Sequence, residues 1–231
     1  MKTVNTRNVP KGWGIGPDKW LLSPHGAIYH ADEKIAVIAD LHLGYTETRG
    51  RSGDCIPAVH DTAELRLLNQ FLHSVEVRTL IIAGDILESP LSARSGNSLL
   101  DQFTQWLDAA GVNPVYVSGN HDPAQHSNFV DYYELNGWCI HHGHLANPSS
   151  HARNQITGHL HPVIRMQNRT FKTFLVAGNH IILPAFSQNA AGVNFLQHDN
   201  MLKLTDLPYY AWLCSEKQTL NFGLLSQLLK E

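Results

Sequence analysis

Asp40-Leu41-His42, Gly84-Asp85, Gly119-Asn120-His121-Asp122, His142-Gly143 and Gly158-His159-Leu160-His161 carry, in chain order, the donor groups that a pair of divalent cations needs. Hard and borderline cations take carboxylate oxygen, amide oxygen and imidazole nitrogen, and one carboxylate with two oxygens can bridge two ions. Asp85 is the natural bridge. Asp40 and His42 stand two apart, so an extended chain at a strand end would turn both side chains toward one ion, and His159 and His161 repeat the spacing. His161 then completes the first site, and Asn120, His142 and His159 form the second. Each ion keeps room for water, as hydrolysis requires.

Three of these fragments follow runs that read as buried strands: Lys34 to Ala39 leads into Asp40, Thr79 to Ala83 into Gly84-Asp85, and Pro114 to Ser118 into Gly119-Asn120. Polar motifs therefore cap strands at their carboxyl ends, where open α/β sheets bind ligands. Apolar periodicity predicts helices over Thr62 to Ser74, with Leu65, Leu68 and Leu72 on one face, and over Leu99 to Ala110, with Asn97 or Ser98 as N-cap and Gly111 just past the end. The β-helix-β alternation predicts a largely parallel sheet. After Gly158, Phe171 to Ala177, Ile181 to Pro184 and Val193 to Gln197 read as short strands. Two packed mixed β-sheets flanked by helices are expected, with the metal site at the carboxyl edge of the strands. Residues 1–16 read as a poorly ordered arm, residues 17–231 as one domain, and Leu220 to Leu229 as a closing helix. Two decoys are set aside: Gly53-Asp54 has no strand before it, and Gly178-Asn179-His180 reads as a turn linking strands.

At 231 residues, 43% hydrophobic and 16% charged, the chain has the make-up of an ordinary globular protein. Its start lacks the apolar core of a secretory signal, and no apolar run approaches the roughly 20 residues that cross a bilayer, so a cytoplasmic protein without membrane association is expected. Three scattered cysteines argue against a disulfide framework or a zinc knuckle. A net charge of -3 is not the footprint of a protein that grips nucleic acid by charge alone. Arg49 and Arg51, on a loop after the first motif, are candidate substrate contacts, and His144, one residue past Gly143, could touch substrate or support a ligand. Arg165, Arg169 and Lys172 read as an exposed strand face.

From Lys34 to His161 the motifs resemble the calcineurin-like metallophosphoesterase superfamily, with every metal-ligand type intact. Ala39 to Gly44, Thr157 to Pro162, Leu183-Pro184-Ala185-Phe186 and Ala191-Gly192-Val193-Asn194 further resemble the bacterial ligase-associated DNA damage response endonucleases. The resemblance implies a four-layer α-β-β-α sandwich and two divalent ions, manganese by family habit with iron or zinc as alternatives. It places Asp40, His42, Asp85 and His161 on one ion and Asp85, Asn120, His142 and His159 on the other. His121 would face the phosphate as the acid that protonates the leaving oxygen, and Asp122 would hold its imidazole. The implied function is phosphodiester hydrolysis on DNA, single-stranded by preference, with a DNA ligase or helicase as a possible partner. Pro123 stands where that family commonly has a basic residue, which puts one backbone contact in doubt. The same metal pair would also serve a small-molecule phosphodiesterase, a phosphatase or a nucleotide pyrophosphatase. A non-catalytic scaffold would be expected to have lost ligands, and none is lost.

Overall fold

The computed structural model describes residues 9–45, 48, 62–89, 98–123, 128–201, 204 and 206–228. Arg49, Arg51, Gly53-Asp54 and Asn97 lie outside them.

Two sheets form the body. The first runs in spatial order β1 (Gly14–Ile15), β2 (Trp20–Leu22), β3 (Ile28–His30), β4 (Ile35–Ile38), β5 (Thr79–Ala83), β6 (Asn113–Val117) and β7 (Phe129–Val130). Strands β4, β5 and β6 are parallel. Helices α1 (Thr62–Ser74) and α2 (Leu99–Ala109) fall between these strands in sequence, as the expected alternation requires. The second sheet contains β8 (Tyr133–Leu135), β9 (Trp138–His141), β10 (Asn154–Thr157), β11 (Pro162–Met166), β12 (Arg169–Val176), β13 (His180–Ile182), β14 (Val193–Asn194), β15 (Tyr210–Cys214) and β16 (Thr219–Leu224). Its order is β14-β11-β12-β13-β10-β9-β8, with β15 joined to β12 and β16 to β15. Short helices α3 (His198–Met201) and α4 (Leu225–Leu228) follow β14 and β16.

The period of two along a strand sorts side chains into separate layers. Ala36, Ile38, Leu80 and Ile82 pack with Leu68 and Phe71 of α1 and Leu100, Phe103 and Leu107 of α2. Their neighbours Val37, Ala39, Ile81 and Ala83 face the other way and meet Ile140, Ile156, Phe174 and Ile181 of the second sheet. Both faces of β4 and β5 are thus covered, which is why their sequences are continuously apolar rather than alternating. A third cluster, with Ile164, Leu175, Phe195 and Leu225, covers the outer face of the second sheet. The expected α-β-β-α sandwich is the observed one.

Local signals account for the element ends. Ser98 caps α2 in a reciprocal box: its hydroxyl accepts from the Asp101 amide at 3.2 Å, and the Asp101 carboxylate accepts from the Ser98 amide at 3.1 Å. Gly111, at φ +72°, closes the helix. Gly178-Asn179 is the tight turn between antiparallel β12 and β13, as the sequence suggested.

Two expectations are corrected. Residues 9–16 are not a loose arm: Trp13 stacks on Phe71 with ring centroids 5.7 Å apart, and β1 pairs with β2. A large aromatic and Val9 had apolar surface to bury, and α1 offers a place for it. Residues 1–8 lie outside the described residues. At the other end, Leu220 to Leu224 belongs to a strand, and among the described residues of the expected helix only Leu225–Leu228 is helical. Asn221 and Gly223 are poor helix formers, Gly223 takes φ +114°, and pairing with β15 satisfies the backbone instead.

Candidate metal centre

The motif residues converge at the carboxyl ends of β4, β5, β6, β9 and β10, the last two being parallel neighbours in the second sheet. Backbone hydrogen bonds tie the motifs together: the Asp40 amide donates to Gly84 O, the His42 amide to Asp85 O, and the Gly158 amide to His142 O.

The expectation that Asp40/His42 and His159/His161 converge because the chain is extended does not hold. Asp40, His42, Asp85, His159 and His161 all take positive φ, between 44° and 67°. Left-handed residues of this kind cost free energy that the surrounding contacts must supply, and they collect where function requires a particular side-chain direction. Leu41, held between Asp40 and His42, is buried in the helix-side core. The chain therefore turns sharply, presenting its polar side chains to the site and its leucine to the core.

Two sets of donor atoms result, Asp40/His42/His161 and Asp85/His142/His159, each with its atoms within 4.8 Å of one another. Nε2 of His142 lies 3.2 Å from Asp85 Oδ2, 3.0 Å from Asn120 Oδ1 and 3.2 Å from His159 Nδ1. One ring nitrogen carries at most one hydrogen and cannot serve three such neighbours. In the first set His161 Nε2 lies 3.1 Å from Asp40 Oδ1 and His42 Nδ1 lies 2.8 Å from Glu88 Oε2, but neither contact is aligned as a hydrogen bond, and His42 Nε2 is buried with no hydrogen-bond partner among the described residues. Ligands at about 2.1 Å around an octahedral cation stand roughly 3 Å apart, the spacing seen here. The donor set fits a pair of divalent cations. Asp40 Oδ1 stands 3.7 Å from His142 Nδ1, so the two sets adjoin.

Electrostatics favour the same reading. Burial alone would raise the Asp85 pKa, but the His142 contact and charge and the His121 amide, 2.9 Å from Oδ1, hold it down to about 2. Asp85 is an anion at neutral pH, as a ligand must be. His142 is raised despite its burial, through Asp85, Asp40 and the Ala83 carbonyl, so a cation must displace a proton to bind it. Burial and then the His142 charge lower both His159 and His144, favouring the neutral imidazole that ligates metal.

The pairing expected for Asp122 is corrected. Its carboxylate accepts from the Gly119 amide at 2.9 Å and the Leu87 amide at 3.0 Å, and burial raises its pKa against those hydrogen bonds. It fastens the Gly119 turn to the turn after Asp85. The imidazole of His121 instead donates from Nδ1 to the Glu88 carbonyl at 3.1 Å, which leaves Nε2 for substrate. Glu88 is the site residue that sequence reasoning missed. Its Oε2 stands 2.8 Å from His42 Nδ1, and His42, Glu88 and His121 form a third group of close donors. Glu88 lies three residues past Asp85, and that spacing was the available signal.

Glycines make room for the convergence. A Cβ on Gly119 would lie 2.2 Å from the Asp85 amide nitrogen, so only glycine lets β6 deliver Asn120 this close to β5. A cleft of about 480 Å³ opens beside the second donor set, lined by Asn120, His142, His144, Leu145 and Pro148 among others. His144, expected near substrate, is exposed there, its ring centroid 5.2 Å from that of His142. His141 bonds Gln155 at 3.1 Å.

Residues 33–221 match the family model for calcineurin-like phosphoesterases. The chain belongs to that family. No curated protein matches its sequence. Among solved structures, the nuclease MPE of Pseudomonas putida superposes with a TM-score of 0.67 at 21% identity, covering 90% of this chain and all of that one. The likeness establishes a shared fold. As a calcineurin-like phosphoesterase, the chain is a hydrolase of phosphate esters that uses divalent metal. No helix among its described residues is long and apolar enough to cross a membrane.

Proposed function

We propose that this phosphoesterase is a manganese-dependent phosphodiesterase that cleaves DNA as an endonuclease. The observation that carries the reading is the lining of the cleft: histidine, asparagine, proline, the carboxylates of Asp122 and Asp131, and Leu145, itself 70% exposed, with neither lysine nor arginine among its described lining residues. A phosphate monoester is a dianion at neutral pH and gains from extra cationic donors around it. A diester carries a single charge, and the apolar Leu145, Ala146 and Pro148 of the lining offer contact to the groups on either side of it. One solved structure that shares the fold is that of a nuclease, which accords with this choice.

When bound, a pair of divalent cations would supply Lewis acidity for hydrolysis at phosphorus and would offset negative charge on the phosphoryl oxygens. Asp40, His42 and His161 would hold one, Asn120, His142 and His159 the other, with Asp85 shared between them. His121, oriented through Nδ1 by the Glu88 carbonyl, gives a proton from Nε2 to the departing oxygen. Asp122 keeps that histidine's loop in place through the Gly119 amide.

Hydrolysis of bis-p-nitrophenyl phosphate, of its monoester counterpart and of single-stranded DNA, compared with added manganese, tests the proposal. Turnover of the diester and of DNA is expected. Turnover of the monoester alone would replace the reading with a phosphatase.

A further inference from the structure

The side chain of Lys172, on β12, is turned inward against the expectation of an exposed strand face. Its ammonium donates to the carbonyls of Phe186 at 2.9 Å and Ser187 at 2.8 Å. Burial lowers its pKa to about 8, against the fields of Cys214 and, less, Glu64, so it is still mostly charged at neutral pH. A half-buried cation loses hydration that its hydrogen bonds must replace, and this one makes them to two adjacent peptide carbonyls.

Those peptides are not an arbitrary anchor. The Phe186 amide donates to the Ala39 carbonyl at 2.8 Å, and the Ser187 amide donates to the Asp40 carbonyl at 3.0 Å. One residue further on, the Gln188 amide donates to the carboxylate of Glu64 at 2.8 Å. Glu64 sits in the first turn of α1 and is itself buried, and the Asn189 side chain completes its shell at 3.5 Å. A cation on the second sheet and an anion on a helix of the first thus grip successive peptide groups of one short segment. That segment is hydrogen-bonded to the backbone of a candidate metal ligand held at φ +56°.

We propose that Lys172 and Glu64 form a positioning clamp, which through residues 186–188 sustains the left-handed backbone of Asp40 and so sets the affinity of the first metal site. The inference rests on the metal-centre reading above. Neither residue touches substrate or metal. Their contribution is to keep Asp40 from relaxing toward the ordinary negative φ, in which its carboxylate would leave His161. The Pro184-Ala185-Phe186 segment thereby acquires a role: it carries the contact between the two sheets at the site's edge.

The test compares wild type with Lys172→Met, Lys172→Gln and Glu64→Gln, in full-length protein stripped of metal and titrated with manganese by calorimetry. Wild type is expected to bind two ions. In Lys172→Met one of them should weaken by a factor on the order of 10 to 100, the usual effect of losing a group that supports a ligand, while the other changes little. Amide exchange at Phe186 and Ser187, followed without metal, should accelerate in the same variant relative to the β4 and β5 amides. Glu64→Gln keeps the acceptor for Gln188 but removes the charge, and it should show a smaller loss of the same kind. If Lys172→Met does not fold, Lys172→Gln, which keeps amide N–H donors but loses the charge, answers the question by the same two readouts. Equal weakening of both ions, or wild-type titrations and unchanged exchange at Phe186 and Ser187, would overturn the clamp. A wild type that fails to bind two ions would overturn the metal-centre reading instead, and the exchange measurement would still judge the clamp.

Discussion

Gly84→Ala puts the packing of the centre to a severe test. A Cβ at residue 84 would lie 2.3 Å from Nδ1, 2.4 Å from Cγ and 2.5 Å from Cβ of His142. Ordinary contact needs about 3.5 Å, so the two must part by about 1 Å. The His142 ring has little room to give. Its side chain is fully buried, and its Nδ1 is bonded to the Ala83 carbonyl at 3.1 Å. The backbone adds to the cost, because Gly84 sits at φ +84°. An L-residue in the left-handed region costs about 1 to 2 kcal/mol, and overpacking a tight site about 1 to 3 kcal/mol. The sum is about 2 to 5 kcal/mol, or a melting temperature lower by about 10 °C for a chain of this size. A ligand misplaced by about 1 Å should also cost about 100-fold in turnover. The ion that His142 serves should be weakened selectively. Native mass spectrometry counts the ions, a thermal melt gives the stability, and Gly178→Ala is the control, since nothing lies within 4 Å of a Cβ there. Two ions held at wild-type affinity, with a melt within about 2 °C of wild type, would refute the argued contact between Gly84 and His142.

Asp85→Asn should abolish activity and weaken both ions, whereas Asp40→Asn should harm chiefly one; two tightly held ions in Asp85→Asn would end the bridging assignment. His121→Gln should preserve metal content and slow DNA cleavage by about 100-fold or more. The loss should be smaller for a nitrophenyl diester, whose leaving group needs little protonation, and equal losses on both substrates would remove the acid role. His180 links Thr157 Oγ1 at 3.0 Å and Tyr209 Oη at 2.7 Å, and burial, with a smaller effect of His141, lowers its pKa to about 4. Its unfolded pKa is about 6.5, so the unfolded chain takes up the proton first on acidification. The stability it contributes is complete above about pH 6.5 and lost as pH falls toward 4, by at most about 3.4 kcal/mol, the equivalent of about 2.5 pH units. Denaturant titrations between pH 4 and pH 7 should give a shallower dependence for His180→Gln than for wild type, and identical slopes would refute it.

The donor inventory was legible in the sequence because cation chemistry admits few residue types, and because short apolar β-branched runs ahead of Asp40, Asp85 and Asn120 mark strand ends. The capped helix at Leu99 and the turn at Gly178 were legible for the same local reason: hydrogen bonds between near neighbours leave residue signatures. The two termini misled because their pattern was weak and their partners distant. Trp13 needed α1 to bury against, and Leu220 needed β15 to pair with. In the centre, only the tertiary structure decided that Glu88 rather than Asp122 orients His121, that five donors sit on left-handed backbone, and that Lys172 points inward. Spacing along a chain states which groups are available. Which of them orients another depends on contacts such as His121 to Glu88, 33 residues apart, or Gln188 to Glu64, 124 apart. Contacts of that range are set by how the two sheets and their helices pack, and short-range sequence periodicity carries no trace of them.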